Sequence, residues 1–338
     1  ETFMAGGPGW VFDLKLRASW GMLGNQSIGN YPFTSGINTG LNYVFGNDNP
    51  ALGAALINAS NPQISWETTE MTNVGIDAGI GNFILTADYY IKNTNDILLR
   101  LPVPQVAGLA APYQNAGSVR NNGWDLRVQY GNEIGDFNFN IGANLSDVKN
   151  EIVDLVGTGP YIYERTVQME GQPIDALFGL QSSGLFQNQT EIANHASQFG
   201  TMSPGDIRYV DQSVDLDGDG VLDAPDGVVN ANDRVVMGST IPRYTFGLNL
   251  SFDYKGFDFG TLLQGVGKVD GYLDNFATMA FYLGGTAQEW HKDHWTAENP
   301  NASYPRLTFN FPNNEQVSSY WIRSAAYLRM KNLQVGYT

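Results

Sequence analysis

The residues best placed for chemistry form one acidic run, Asp215-Leu216-Asp217-Gly218-Asp219-Gly220-Val221-Leu222-Asp223-Ala224-Pro225-Asp226. Carboxylates at the first, third and fifth positions, a glycine at the sixth and further carboxylates at the ninth and twelfth match the ligand spacing of a calcium-binding loop. Asp215, Asp217 and Asp219 supply three hard oxygens, the Val221 carbonyl a fourth, and Asp223 a fifth, directly or through water. The closing ligand is Asp226, where a longer Glu is usual. The run echoes itself: DGVLDAPD ends at Asp226 and DGVVNAND ends at Asp233, so Asp233 is an alternative closing ligand. Leu222 and Ala224 stand where the second copy would need its first ligands, so one structural Ca²⁺ is expected. A solvated acidic loop without metal is the competing reading. So many like charges in a short loop repel unless a cation offsets them.

Other constellations are weaker. His291 and His294 have the spacing of one helix face, but no helix is secure there, and a polar loop is the plainer reading. His195 lies far off in sequence. Trp290, Trp295 and Tyr282 read as exposed loop aromatics suited to a sugar, a protein partner or their own loop. There is no cysteine, hence no disulfide, thiolate site or cysteine nucleophile. No nucleophile elbow and no phosphate loop occurs, so no enzymatic activity is expected.

These residues sit between segments of a different kind. Trp124, Leu126, Val128 and Tyr130 alternate with Asp125, Arg127 and Gln129, and after a turn placed at Gly131 to Asp136, Phe137, Phe139, Ile141, Ala143 and Leu145 alternate with Asn138, Asn140, Gly142 and Asn144. Period-two alternation of this length predicts a β-hairpin with one apolar and one polar face. Similar segments run over Phe12 to Trp20, Thr72 to Ile80, Phe83 to about Leu99, Tyr244 to Tyr254, Phe257 to about Gly265 and Ala325 to Tyr337. The stretch from Gly21 to Thr69 reads as loop, with a short helical turn near Ala51 to Ile57. The pattern dissolves after Glu151 for about ninety residues, an unusual length for a connection. The high glycine content (39 of 338 residues) and few charged residues (15%) fit a turn-rich all-β protein. A net charge of −16 argues against nucleic acid as partner. No stretch qualifies as a spanning helix.

Long and short connections alternate without slipping. Gly81-Asn82, the turn before Asp136, and Lys255-Gly256 are tight; the connections between them are long. An antiparallel meander then puts every long loop at one end, the asymmetry of an outer-membrane barrel. Aromatics flank the tight turns: Phe83, Tyr130 with Phe137, and Tyr254 with Phe257. Most segments reach the roughly nine to eleven residues a spanning strand needs. A soluble sandwich is the alternative, with strands usually nearer about five or six residues. On the membrane reading the apolar alternates face lipid. Asp88, Lys92, Asp125, Arg127, Gln129, Asn138, Asn140, Asn249 and Asp253 face the lumen. About eight strands are too few for loops of this size, so a fragment of a larger barrel is expected.

Several stretches together resemble the SusC/RagA family of TonB-dependent outer-membrane transporters. They are Leu14 to Phe33 (LKLRASWGMLGNQSIGNYPF), Thr86 to Leu99 (TADYYIKNTNDILL), Gln114 to Leu126 (QNAGSVRNNGWDL), Gly184 to His195 (GLFQNQTEIANH), PGDIRYVDQ with DLDGDGVLD, Gly238 to Phe259 (GSTIPRYTFGLNLSFDYKGFDF) and the terminal YWIRSAAYLRMKNLQVGYT. They follow the family's order over nearly the whole chain. The resemblance implies an all-β, antiparallel transmembrane β-barrel of about 22 strands. Residues 1–338 would be about eight of its strands, with plug, N-terminal strands and final strands absent and residues 151–240 a long extracellular loop. It further implies location in the outer membrane of a Gram-negative bacterium. The implied activity is import of oligosaccharides or peptides, with a SusD-like surface lipoprotein as lid and TonB-ExbB-ExbD engaged through the absent N-terminal part. A soluble extracellular Ca²⁺-binding β-protein that adheres to polysaccharide is the rival expectation.

Overall fold

The computed structural model describes residues 11–46, 49–100, 106, 108–213, 215, 221, 223–309 and 311–338. Eight long strands form one antiparallel sheet in sequence order. They are β1 (Val11–Asn25), β2 (Glu67–Ile80), β3 (Phe83–Asn95), β4 (Ser118–Ile134), β5 (Phe137–Asp154), β6 (Arg243–Tyr254), β7 (Phe257–Lys268) and β8 (Tyr327–Tyr337). The sheet is open: β1 pairs only with β2, and β8 only with β7.

Register fixes the two faces. One row of paired residues runs Leu14, Ala78, Leu85, Val128, Ala143, Leu248, Leu263 and Met330 across all eight strands. The next row of the same face runs Leu16, Ile76, Ala87, Leu126, Leu145, Phe246, Gly265 and Leu328. Between them, on the opposite face, lie Lys15, Asp77, Thr86, Arg127, Asn144, Gly247, Gln264 and Arg329. Directly paired residues in an antiparallel sheet point to one side, so eight separate alternations merge into a single apolar face. Apolar residues also interrupt the polar face, at Ile84, Tyr90, Leu262 and Val266.

The tight turns are two residues each. Gly81 and Gly135 adopt positive φ (55° and 61°), and Lys255 and Gly256 both do (47° and 86°), as short hairpin turns between right-twisted strands require. The turn of the central hairpin is therefore Gly135-Asp136 alone, because β4 continues through Ile134. Near these turns the rings form a chain: Phe83 to Tyr130 at 4.5 Å, Tyr130 to Phe139 at 5.7 Å, Phe252 to Phe259 at 4.7 Å and Phe257 to Tyr337 at 4.6 Å.

At the other end most strands run well past their alternating segments. β5 reaches Asp154 and β4 begins at Ser118. Ladder hydrogen bonds continue where both faces are polar, and periodicity cannot sense them there. The expected helical turn near Ala51 to Ile57 is absent among the described residues. Pro50–Ala51 pairs with Tyr43–Val44, and Ala55–Leu56 with Ile37–Asn38. The pyrrolidine nitrogen of Pro50 cannot donate, which suits a short peripheral strand better than a helix interior.

The buried core does not lie on the sheet. Among the described residues of the eight strands, the buried hydrophobics are Ala78, Val119, Ile152 and Val266. The main core cluster is Leu180, Leu185, Ile207, Tyr209, Val229 and Trp321. It joins the β5–β6 connection to the β7–β8 connection. The described residues of the first of these, within 155–242, hold regular structure: Tyr161–Ile162, Thr166–Gln168, Ala176–Leu180 and Arg234–Gly238 form a four-stranded sheet. Together the two connections build a cap at the long-loop end.

Candidate functional site

Three places carry candidate chemistry: the polar face of the sheet, the acidic loop and the cap. On the polar face, all nine residues assigned to it from sequence share one side. Asp88 pairs with Asp125, Lys92 with Asn121, Arg127 with Asn144, Gln129 with Gly142, Asn138 with Asp253, and Asn249 with Gly142. Arg17 was not singled out in sequence, yet it organises this face. Its Nε donates to Asp77 Oδ2 (2.8 Å), and one terminal nitrogen donates to both Asp77 Oδ1 (3.1 Å) and Asp88 Oδ2 (2.8 Å). Gly75, paired with both Arg17 and Asp88, makes this possible: a Cβ there would fall 2.3 Å from Asp88 Oδ1. The sequence signal was present, since basic and acidic residues recur at alternate positions of adjacent strands, but pairing them needs the register. Farther along, Arg127, Gln129, Gly142, Asn144 and Asn249 line a shallow recess of about 300 Å³. The missing Gly142 side chain opens it between polar neighbours. The groups there offer donors and acceptors for polar contact.

In the acidic loop, Asp217 and Asp219 lie outside the described residues. Asp215, Val221 and Asp223 are described, and each has partners of its own. Asp226 Oδ1 accepts the Val228 N–H at 2.8 Å in a side-chain turn. Asp233 has a different role. It is 3% exposed; Oδ1 accepts from Gln212 N and Oδ2 from Asn230 N, both at 2.7 Å, which closes a capping box on a short helical turn. One further carboxylate was missed in sequence. Asp211 Oδ2 accepts the Gly227 N–H at 2.9 Å, beside Asp226, while its Oδ1 is buried without a hydrogen-bond partner among the described residues.

In the cap, the two connections meet through polar groups inside the core. Asp206 is fully buried and accepts two hydrogen bonds from Arg306, at 2.7 and 3.0 Å, one from Asn314 and one from Ser203 N. The Tyr209 hydroxyl donates to the Asn313 carbonyl at 2.6 Å, and burial pushes its phenol pKa up, which keeps it a donor. Gly205 adopts φ +91° beneath Trp295, whose ring would lie 2.5 Å from any Cβ. Trp295 is thus half-buried against the core and donates to Gln187 Oε1 (3.1 Å), contrary to its expected exposure. Trp290 does remain exposed.

The two histidines do not converge on a common point. His291 is 2% exposed and takes the Gln288 N–H on Nδ1 at 3.0 Å, while His294 Nδ1 lies 2.9 Å from the His291 carbonyl. The reading of this segment as an open polar loop therefore gives way to a packed one. Burial lowers the His291 pKa, with the Thr278 backbone opposing in part. The unfolded imidazole titrates near about 6.5. A lowered folded value means the neutral ring's contribution is fully present above that and is lost as pH falls below it. We expect protease cleavage within residues 275–308 to rise between about pH 7 and pH 5, with the dependence abolished in His291→Phe. Unchanged cleavage across that range would refute it. Asp293 contributes in a lower window. Hydrogen bonds from Ser303 and Asn299 hold its carboxyl below the ordinary range, so its share is lost only as pH falls below about 4.

The family described as TonB dependent receptor-like, beta-barrel matches residues 8–338. TonB-dependent receptor P26 of Formosa agariphila is 30% identical over 348 aligned residues, covering 96% of this chain and 33% of that relative. TonB-dependent receptor SusC of Bacteroides thetaiotaomicron is 25% identical, covering 96% of this chain and 32% of its own length. The chain thus spans about a third of the curated relatives it matches. A solved structure of the RagAB peptide transporter superposes with a TM-score of 0.76 at 23% identity, over 99% of this chain and 35% of that one; at that identity the likeness concerns fold. The open sheet, its register and the match over residues 8–338 agree: the chain belongs to the TonB-dependent receptor β-barrel family, as a fragment of the barrel.

Proposed function

We propose that this chain forms part of the wall and the extracellular cap of a TonB-dependent outer-membrane importer of SusC/RagA type in a Gram-negative bacterium. One observation carries the reading: two rows of mainly apolar residues cross all eight strands, and large side chains in them stand exposed, Leu328 and Met330 among them. Leu16, for example, is 78% exposed. Exposing contiguous apolar area of this extent to water is unfavourable at about 25 cal/mol per Å², and hydrocarbon removes the penalty. The stretch from Phe137 through Leu145 is the length of about nine residues that crosses a bilayer when tilted. The aromatic chain at the tight turns then sits at the periplasmic interface, and the Arg17–Asp77–Asp88 network faces the lumen. The transported solute is an oligosaccharide or a peptide. A SusD-like lipoprotein closes the extracellular mouth, and TonB-ExbB-ExbD supplies the energy. The test is cell fractionation with an uptake assay. The protein should require detergent for release from outer membranes, and uptake should stop when TonB is deleted. Release by salt or carbonate without detergent would favour the soluble polysaccharide-binding alternative.

The acidic loop, on this reading, holds one structural Ca²⁺ through Asp215, Asp217, Asp219, Val221, Asp223 and Asp226. Ca²⁺ takes about six to eight oxygens, and Asp211 Oδ1 beside Asp226, which has no hydrogen-bond partner among the described residues, is a further candidate. Asp233 is less suited to close the site, since both its oxygens already serve the capping box. Calorimetry should show Ca²⁺ binding heat that is lost in an Asp217→Ala, Asp219→Ala double variant. Equal heat in the variant and the wild type would remove the assignment.

A further inference from the structure

At the long-loop end of β1 and β2 lies a pocket of about 600 Å³. Trp66, Tyr31 and Phe33 supply its rings, and the side chains of Gln26, Asn30 and Ser65 border them. Two connections hold it together. Asn115 Oδ1 accepts the Ser65 N–H at 2.8 Å, and Asn115 Nδ2 donates to the Ser65 and Asp96 carbonyls, both at 2.9 Å. Asn61 Nδ2 donates to the Tyr113 carbonyl at 2.8 Å. With Ser65 pinned in this way, the Trp66 ring rests against the bare backbone of Gly24, where a Cβ would lie 2.6 Å from it. Tyr31 holds φ +56°, a conformation unfavourable for a residue with a Cβ; such strain gathers at ligand clamps. Its ring centre is 6.1 Å from that of Phe33. The rings stay open to the surroundings, Tyr31 at 72% and Trp66 at 57% exposure.

Register identifies the side. Gly24 pairs with Thr68 in step with Trp20–Thr72 and Leu16–Ile76, so Gly24 and the ring against it stand on the apolar face, away from the lumen. The height rests on the membrane reading proposed above. From Val11 to Gly24, at about 3.3 Å per residue and a tilt of about 40°, β1 climbs roughly 33 Å. The apolar band of such a barrel is roughly 25 Å tall. The pocket therefore stands clear of hydrocarbon, among the sugars that coat a Gram-negative cell.

Among the described residues the lining has no acidic or basic side chain, in a chain of net charge −16. A charged ligand would give up hydration there and meet no opposite charge, so the pocket selects a neutral one. Exposed rings beside neutral amides and a hydroxyl suit a sugar. The C–H face of a pyranose packs on the electron-rich face of an aromatic ring, and its hydroxyls meet Gln26, Asn30 and Ser65, which both donate and accept. An aliphatic peptide side chain would engage the rings alone. We propose that this pocket binds a neutral sugar residue of a glycan outside the barrel, stacked on Trp66 and Tyr31.

The test is titration of the full-length protein in detergent, labelled with 5-fluorotryptophan. Calorimetry gives affinity, and the ¹⁹F signal lost in Trp66→Ala reports position. The probes are maltotriose, mannotriose, trigalacturonate, trialanine and lipopolysaccharide purified from the same bacterium. We expect at least one neutral trisaccharide to bind saturably and shift the Trp66 signal, while trigalacturonate and trialanine leave it in place. A shift from lipopolysaccharide as well assigns the natural sugar to the outer leaflet; its absence assigns it to free glycan. Trp66→Ala should weaken trisaccharide binding about tenfold, and Tyr31→Asn, at an exposed position whose positive φ asparagine tolerates, about threefold. No Trp66 shift with either neutral trisaccharide, an equal shift with trigalacturonate or trialanine, or unchanged affinity in both variants overturns the assignment. Release of the protein from membranes without detergent would instead overturn the membrane reading, and with it the height of the pocket.

Discussion

Leu248→Arg is expected to cost the barrel wall about 2–4 kcal/mol, whereas Asn249→Arg should be nearly neutral, as lumen substitutions are. The two positions are consecutive, so strand propensity, distance from the turn and neighbouring strands are shared. Only the face differs. Leu248 stands in the apolar row between Ala143 and Leu263, and Asn249 lies between Gly142 and Leu262 beside the polar recess. An arginine at Leu248 must place its guanidinium in hydrocarbon or distort the bilayer to reach water. At Asn249 it meets a wet surface near Gln129 and Asn144. Urea unfolding in detergent or lipid vesicles measures both. Equal tolerance at the two positions would mean that the apolar face is covered by protein and not by lipid.

The second large effect is in the cap. Asp206→Ala should destabilise it by about 3 kcal/mol, the lower end expected for breaking a buried ion pair because Arg306 keeps some solvent. The variant leaves Arg306 unneutralised and removes acceptors from Asn314 and Ser203 N as well. Hydrogen exchange should quicken in Ala176–Leu180 and around Trp321, while the eight-stranded sheet keeps its protection. Glu289→Ala removes the exposed pair with Lys292 and should have almost no effect. If Asp206→Ala and Glu289→Ala exchange alike, the two connections do not form one cooperative unit.

The eight strands were legible because their signal is local. A strand repeats every two residues, so Trp124 to Tyr130 and Phe137 to Leu145 reveal both element and face without knowledge of a neighbour. The turns were partly legible. Gly81-Asn82 and Lys255-Gly256 carry glycine where positive φ is needed, but the central turn was drawn too wide because Gly131 resembles a turn residue and in fact sits within β4. The strand ends toward the long loops were missed, since Asn121 and Asn150 give no facial contrast even though they pair and share a hydrogen bond at 2.8 Å.

Sequence alone thus determined an all-β chain with strictly alternating long and short connections, two chemically distinct faces, and a family resemblance that the match over residues 8–338 bears out. Tertiary structure decided what the long connections become. Asp206 and Arg306 are 100 residues apart, and Tyr209 and Asn313 are 104. No periodicity links residues so distant, and a single buried carboxylate in a glycine-rich loop reads like any solvated one. The same holds for His291, whose spacing to His294 suggested a pair and whose ring is instead buried, with Gln288 N donating to its Nδ1. Local pattern reports the face a residue shows to its surroundings; which distant segment supplies those surroundings is settled only when the chain closes on itself.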